Sequence, residues 1–325
     1  MNILILSCGT RCLLVDYFME RENGFDKVIT TDCSPYSPAL YRSDKHYIVP
    51  RMNDENYLPT ILDICKREDV KAVLPLHEDE CVLIAKNQRL FKDAGVIPLI
   101  SSPEVVDICR DKYEFYRKIT ENNLPAIPTY LANEADKAVK EQGFPLFIKP
   151  RFGAGSVSSY VINSLEALEG YMKNEDVEFI IQPYIKGRQY DSNAYIDFLS
   201  GKLADVFILE KMRMRAGEAD KSISVLDERI LSVIEKSCDI FQFCGAIDMD
   251  IIELDGMFMV MEVNPRFGGT YPHTHSCGVN FVRLIANNAQ GKTNNPQYPH
   301  YEPGVVAFRY MDITIMREKE LANEA

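Results

Sequence analysis

The sequence predicts an α/β part followed by an α+β part, on three observations. Residues 1–103 alternate short apolar runs with amphipathic stretches, the pattern of a parallel sheet with helices on both faces. From 190 onward, apolar runs follow one another through tight turns such as Ser200-Gly201, as antiparallel strands require. The third observation is 245–269, GAIDMDIIELDGMFMVMEVNPRFGG, where two apolar runs join at Asp255-Gly256, a strong hairpin signal.

Composition narrows the class. A chain of 325 residues can hold two or three subdomains with substantial cores. Its 46% apolar and 26% charged residues are ordinary for a globular protein. A net charge of −12 argues against nucleic acid as a partner, so any polyanion must meet Lys and Arg gathered locally. The nine cysteines are odd in number and form no CxxC pair, which fits buried, reduced thiols in a cytoplasmic protein. MNILILSCGT lacks a basic n-region and reads as a first strand, not a signal peptide. No apolar run is long enough to span a membrane, so no membrane partner is expected.

Taken in order, 2–6, 27–31, 72–76 and 96–99 read as strands, and 13–21, 57–68 and 80–94 as helices. Ser7-Cys8-Gly9-Thr10-Arg11 links the first strand and helix without the GxGxxG spacing, which disfavours a nicotinamide dehydrogenase. Asp32 either meets a ribose or caps the turn Asp32-Cys33-Ser34-Pro35. Glu78 and Asp79 could bind an amine or simply open a helix, where acids suit the dipole. Ser101-Ser102-Pro103-Glu104 is a helix start, leading to Lys112 and a second helix over 113–122. Leu124-Pro125-Ala126-Ile127-Pro128 breaks that helix.

Next, 143–158 delivers Lys149 on a strand and then the loop Gly153-Ala154-Gly155-Ser156, whose backbone N–H groups can approach phosphate. It is not a Walker A loop, because the Lys precedes the glycines. Residues 179–187 run from a strand into the connector Gln182-Pro183-Tyr184-Ile185. Lys211, Arg213 and Arg215 alternate and share one face if the segment is extended. That row suggests a phosphate or carboxylate site; a charged guard on a sheet edge is the plainer alternative. Residues 226–243 form a long core helix, 280–288 a last helix, and 305–311 a closing strand. His273 and His275 could bind metal, touch substrate or serve as caps.

In the hairpin, Glu262 and Asn264 are two apart and share a face. Asp250 reaches Glu262 if a three-residue turn pairs Leu254 with Phe258. A two-residue Asp255-Gly256 turn would put Asp250 opposite Met261 unless a bulge restores register. Converged, the three side chains make a hard-oxygen cluster suited to Mg²⁺, with Arg266 placed to hold phosphate bidentately.

These segments together resemble the ATP-grasp enzymes over nearly the whole chain, with Asp250 and then Glu262-x-Asn264-x-Arg266 at the metal end. The resemblance is nearest to the carbamoyl-phosphate-synthase-like branch, whose large subunit is a tandem of two such halves. It implies a Rossmann-like domain over 1–103, a linker and small lid lobe over 104–186, and a metal-bearing lobe over 187–325. It further implies ATP with Mg²⁺ (or Mn²⁺), and metal ligands Asp250, Glu262 and Asn264. Lys112, Lys149, Gly153, Ala154, Gly155 and Ser156 would meet the phosphates, and Gln182, Pro183, Tyr184 and Ile185 the adenine. Where the family carries a ribose-binding Glu this chain has Gln189, with Asp191 as a substitute. Arg266, Arg213 and Arg215 would be catalytic, and the loops 8–12, 77–80 and 271–277 would meet substrate. The implied reaction joins a small carboxylate to an amine-type nucleophile through an acyl phosphate, releasing ADP and phosphate. A nucleotide-binding sensor or partner subunit without turnover is the rival, and a homodimer is compatible with either.

Overall fold

The computed structural model describes residues 1–153, 158–173, 177–215 and 217–321. Five strands, β1 (Asn2–Ile5), β2 (Lys27–Asp32), β3 (Lys45–Ile48), β4 (Val70–Leu74) and β5 (Ile97–Pro98), form a parallel sheet ordered β3-β2-β1-β4-β5. Helices α1 (Cys12–Met19), α2 (Tyr57–Arg67), α3 (Glu78–Lys86) and α4 (Gln88–Asp93) connect it. Alternate β1 residues enter opposite cores: Ile3 and Ile5 join Phe18 and Val28, while Leu4 joins Ile29, Ile61 and Val73. The helix expected over 80–94 is thus two helices, separated at Asn87. Strand order reverses beside β1, which has β2 on one side and β4 on the other. That switch point opens a crevice at the carboxyl ends of β1 and β4, where such sheets take ligands.

One carboxyl is buried near the carboxyl ends of β1 and β4. Glu80 is fully buried and accepts hydrogen bonds from Ser7 Oγ at 2.8 Å and from the Tyr57 hydroxyl. Ser7 holds a left-handed backbone (φ 45°), a strained choice for a non-glycine residue. Burial pushes the Glu80 pKa up to about 7 from its ordinary 4.5. The folded chain therefore keeps this proton to higher pH than the unfolded chain. Its stabilising effect is full below pH 4.5 and is lost as pH rises through about 7. Across that window Glu80 should account for a loss of roughly 3 kcal/mol in urea stability, and Glu80→Gln should lack that share of the wild-type slope.

Helices α5 (Pro103–Arg110) and α6 (Lys112–Glu121) follow, capped by the Ser102 and Asp111 side chains. They pack not on the small lobe but on the large sheet, where Val105, Cys109, Phe115 and Ile119 join Ile230, Phe241 and Met249. The small lobe has strands β6 (Tyr130–Leu131), β7 (Leu146–Pro150), β8 (Tyr160–Ile162) and β9 (Phe179–Pro183), ordered β6-β9-β7-β8. Helices α7 (Ala135–Gln142) and α8 (Leu165–Met172) close its core around Leu146, Ile148 and Ile181.

The large sheet contains β10 (Arg188–Ile196), β11 (Leu203–Arg215), β12 (Glu218–Ser224), β13 (Gly245–Leu254), β14 (Met257–Asn264) and β15 (Val306–Phe308). Its order is β14-β13-β10-β11-β12-β15. Helix α9 (Glu228–Phe241), capped by Asp227, covers one face. The expected start at 226 gives way to this cap, whose carboxylate accepts from Arg229 N at 2.9 Å. From the other face Tyr195, Phe207 and Leu209 share a core with Phe18 and Phe25 of the N-terminal part and with Phe281 of α11 (Phe281–Ala289). This shared core seats the switch-point crevice against the end of β14, just before α10 (Tyr271–Ser276). The closing strand is shorter than expected, and beyond it Tyr310, Met311, Ile313 and Ile315 are exposed. All nine cysteines are free thiols, and no helix among the described residues is long and apolar enough to cross a membrane.

Candidate functional site

The β13–β14 hairpin solves its register in the second of the two ways open to it. The turn has two residues, Asp255 (φ 52°) and Gly256 (φ 79°), so Leu254 pairs with Met257 and not with Phe258. A bulge then shifts register between Ile251 and Asp250: Ile251 faces Val260, but Asp250 faces Glu262. Met261 is the extra residue, and it lines a cleft with Lys112, Ile127 and Gln182. One bulge thus sets two carboxylates across from each other and turns an apolar side chain into the cleft.

Neighbouring strands enlarge the acidic cluster beyond what the sequence shows. Asp191 on β10 pairs with Asp250, and Asp248 pairs with Asn264, whose Nδ2 donates to Asp248 Oδ2 at 3.3 Å. Lys211, on β11, is buried and ion-paired with Asp250. Burial alone would lower its pKa, but the Asp250 and Asp191 charges hold it above the ordinary value. Arg266 lies 3.8 Å from Asp248 and donates to Asn264 Oδ1 at 3.1 Å. Negative charge still exceeds what these cations neutralise. Burial, with Glu262 and Asp248 adding to it and Lys211 opposing, pushes Asp250 up to about 6. Burial and Asp248 push Asp191 well above the usual range. One oxygen each of Asp191 and Asp248 is buried without a hydrogen-bond partner among the described residues.

This donor set fits a magnesium ion. Asp250, Glu262 and Asn264 offer hard oxygens from facing strands, and Mg²⁺ takes few protein carboxylates while keeping water and phosphate in its shell. No three His, Cys, Asp or Glu side chains among the described residues surround a common point, so the set is two carboxylates and an amide. Lys211 pairs with Asp250, and Arg266 donates to Asn264 Oδ1. Gly268 is needed here, because a Cβ would lie 2.2 Å from Asp248 Oδ1. Gly268→Ala should cost about 2 kcal/mol of stability, read as a lower melting temperature.

On the small-lobe side, Lys149 is buried on β7, and Lys112 begins α6. The Lys112 ammonium donates to the Gly153 carbonyl, while its backbone N–H meets Arg151 O at 3.1 Å. Burial lowers the Lys112 pKa; Glu262 opposes that and Lys149 adds to it. Arg151 is held bidentately by Asp111, with nitrogen–oxygen distances of 2.8 and 2.6 Å. In the connector, Gln182 donates to Thr129 Oγ1 at 2.8 Å and the Tyr184 amide donates to Pro145 O at 3.0 Å. Pro183 has no N–H, which leaves the Ile185 amide as the connector's free donor among the described residues.

Several sequence expectations change. Lys211, Arg213 and Arg215 do not form one row: register shifts on either side of Arg213 break the alternation, turning Lys211 inward while Arg213 and Arg215 are exposed. Asp191 is not a ribose substitute at the lobe's rim; it is buried opposite Asp250 and accepts from Thr270 Oγ1 at 2.7 Å. Gln189 stands two residues before it on the same strand face, opposite Ile252. Asp32 is a turn cap, accepting from Gly9 N at 2.9 Å and Ser34 N at 3.0 Å. Glu78 and Asp79 open α3 and approach Arg110 of α5 at 4.0 and 2.6 Å. His273 is buried and hydrogen-bonded to Ser222 at 2.9 Å, and His275 stacks on Tyr17 with its Nε2 3.4 Å from Glu20. Ala154, Gly155 and Ser156 lie outside the described residues. Sequence reasoning gave Asp248 no role and placed Lys211 in a basic row, where the structure pairs it with Asp250. The β13–β14 register that sets Asp248 beside Asn264, and the ion pair that brings Lys211 to Asp250 from two strands away, are not local, and the only local hint was an Asp at alternate positions, Asp248 and Asp250.

A parallel N-terminal sheet, a small four-stranded lobe and a large sheet ending in Glu-x-Asn-x-Arg are the parts of an ATP-grasp protein. Two family models match: the PylC-like N-terminal domain over residues 3–100 and the ATP-grasp domain over residues 109–270. The chain belongs to the ATP-grasp family. Among curated relatives it is 23% identical over 293 residues to the carbamoyl phosphate synthase arginine-specific large chain of Geobacillus stearothermophilus, covering 85% of this chain and 27% of that one. It is 22% identical over 293 residues to the carbamoyl phosphate synthase large chain of Pseudomonas putida, covering 84% and 26%. The chain therefore spans about a quarter of the length of these relatives. Among solved structures, N5-carboxyaminoimidazole synthetase of Staphylococcus aureus complexed with ADP superposes with a TM-score of 0.73 at 16% identity, over 90% of this chain and 77% of that one. The biotin carboxylase domain of 2-oxoglutarate carboxylase from Hydrogenobacter thermophilus, in complex with MgADP, ADP and bicarbonate, gives 0.73 at 16%, over 91% and 70%. These likenesses establish the fold.

Proposed function

We propose that the chain is an ATP- and Mg²⁺-dependent carboxylate–amine ligase working through an acyl phosphate. The observation that carries this reading is the bulged hairpin, which sets Asp250 across from Glu262 with Asn264 and Arg266 following. The names of the relatives and the nucleotides in the solved neighbours support it. Lys112 and Lys149 neutralise the ATP phosphates, helped by the loop that starts at Gly153. The connector 182–185 seats the adenine through the Ile185 amide, and Gln189 hydrogen-bonds the ribose. Asp250, Glu262 and Asn264 would hold Mg²⁺, or Mn²⁺ in its place, which neutralises charge on the phosphate oxygens. Arg266 holds the transferred phosphoryl group, while Arg213 and Arg215 attract the anionic substrates. A carboxylate oxygen attacks the γ-phosphorus and ADP leaves; the amine then attacks the acyl carbon and phosphate leaves. The chain contributes positioning and charge neutralisation.

The deciding experiment measures ADP release from MgATP against a panel of amino acids, dipeptides, hydroxy acids and bicarbonate, each with and without ammonia. Release that requires one carboxylate–amine pair is the expected result. Tight MgADP binding with silence across the panel would favour a nucleotide-binding sensor or partner subunit, a reading prompted by Gln189 where an acid would grip the ribose. Failure to bind MgATP at all would sink both.

A further inference from the structure

Arg151 follows β7 of the small lobe, between Lys149 and the loop that starts at Gly153. Its backbone stays in that lobe, where its N–H donates to Glu178 O at 2.8 Å. Its side chain leaves the lobe. Nε and Nη2 donate to Asp111 Oδ1 and Oδ2 at 2.8 and 2.6 Å, the two-pronged geometry in which a guanidinium best grips a carboxylate. The guanidinium also lies 5.7 Å from the ring centre of Tyr113 on α6. Asp111 stands across the lobe boundary, because the helix it caps packs on the large sheet through Phe115 and Ile119.

The Asp111 carboxylate is buried and does two jobs. Its Oδ1 accepts from Tyr113 N at 3.0 Å and Glu114 N at 3.2 Å, so the group that holds Arg151 also caps α6. Lys112, the first residue of that helix, completes the junction. Its N–H donates to Arg151 O at 3.1 Å and its ammonium to Gly153 O. The start of α6 is thus fastened to the segment between Lys149 and the loop by two side chains and a backbone bond. Of the other carboxylates facing Arg151, Glu178 lies in its own lobe at 3.1 Å and Glu114 stands off at 3.9 Å, so Asp111 carries the crossing. The junction also holds like charges together. Lys112 and Lys149 come from different lobes, and after burial the Lys149 charge adds to the lowering of the Lys112 pKa, against Glu262.

We propose that Arg151 and Asp111 form a clasp between the lobes that sets the spacing of Lys112 and Lys149, and so positions both ammonium groups for the phosphates of a bound nucleotide. Arg151 and Asp111 are positioning residues that act through the two lysines. That the lysines meet phosphate rests on the ligase reading; the clasp itself rests on the hydrogen bonds across the lobe boundary. With the clasp intact, the cost of bringing two cations together is met in folding. Without it, nucleotide binding must supply that cost, and the loss falls on the phosphates and not on the base.

The test measures MgADP and adenosine binding to wild type, Arg151→Gln, Asp111→Asn and the double variant. Asparagine caps a helix as well as aspartate does, so Asp111→Asn breaks the two-pronged pair and keeps α6 capped. Each single variant should bind MgADP about tenfold more weakly or worse. The double variant should stay within about twofold of the weaker single variant, because both substitutions remove one contact. Adenosine affinity should stay within about twofold throughout, a split that general loosening of the fold would not give. Wild-type MgADP affinity in either single variant would overturn the proposal, as would losses that multiply in the double variant or an equal loss for adenosine. Hydrogen exchange reads the clasp without nucleotide. The Lys112 amide, bonded to Arg151 O, should exchange about tenfold faster or more in both single variants, with β10 and β13 amides unchanged. Unchanged exchange at Lys112 would equally overturn it. If MgADP does not bind the wild type, the ligase reading falls, and the exchange rates decide the clasp.

Discussion

In Glu262→Gln, substrate-dependent ADP release should fall by a factor of about 10²–10³ while the protein still folds. The substitution keeps shape and one oxygen, so the cross-strand pair with Asp250 survives sterically. What changes is one negative charge at the point where phosphate charge must be neutralised. Losing one such electrostatic contact costs on the order of 3 kcal/mol in a transition state. Stability should move the other way, if at all, because Glu262 is one of the charges that push Asp250 up to about 6. A neutral residue relieves that repulsion, so the variant should melt no lower than the wild type. Loss of turnover together with an unchanged melting temperature is the signature of a ligand-facing carboxylate. Near-wild-type turnover with the true substrates would remove Glu262 from the site.

The same pair explains how much of the site was legible in the sequence. Acid and amide side chains interrupting two apolar runs, and a Gly-rich loop after Lys149, are local signals, and they led to the right fold. The register was not local. A two-residue turn and a three-residue turn are both compatible with Asp255-Gly256, and the bulge at Met261 leaves no mark in a run of Met and Val. The short strands β3 and β6 escaped because two or four residues carry too little periodicity to separate from a loop. Lys211 illustrates the same limit from the other side. Alternation with Arg213 and Arg215 implied a common basic face, whereas the register shifts of β11 against β12 sent Lys211 to Asp250 and left the arginines in solvent. Arg11 could not be tied to Arg266 by any spacing rule, since only the packing of the first domain on the large sheet brings them to one carbonyl.

Lys211→Met should produce the largest loss of stability, about 3 kcal/mol by urea unfolding. The lysine is 8% exposed and its partner Asp250 25%, so removing the ammonium strands a carboxylate among Asp191, Asp248 and Glu262 with no cation of its own. Breaking one side of such a pair costs more than the pair contributes, because the remaining charge is desolvated and unpaired. Replacing both partners, as in Lys211→Met with Asp250→Asn, should therefore recover most of the loss. The single variant also separates two roles for Asp250. If Asp250 serves only as the partner of Lys211, added Mg²⁺ changes neither protein. If the cluster is a cation seat that Lys211 partly fills, removing the lysine leaves the seat more negative and its affinity for Mg²⁺ rises. The stabilisation grows as the logarithm of cation concentration over dissociation constant. Titrating MgCl₂ should then raise the melting temperature of Lys211→Met by more than that of the wild type, and CaCl₂ should do so less well, because its larger shell asks for more protein oxygens than this set offers. An equal Mg²⁺ response in the two proteins would confine Asp250 to its ion pair.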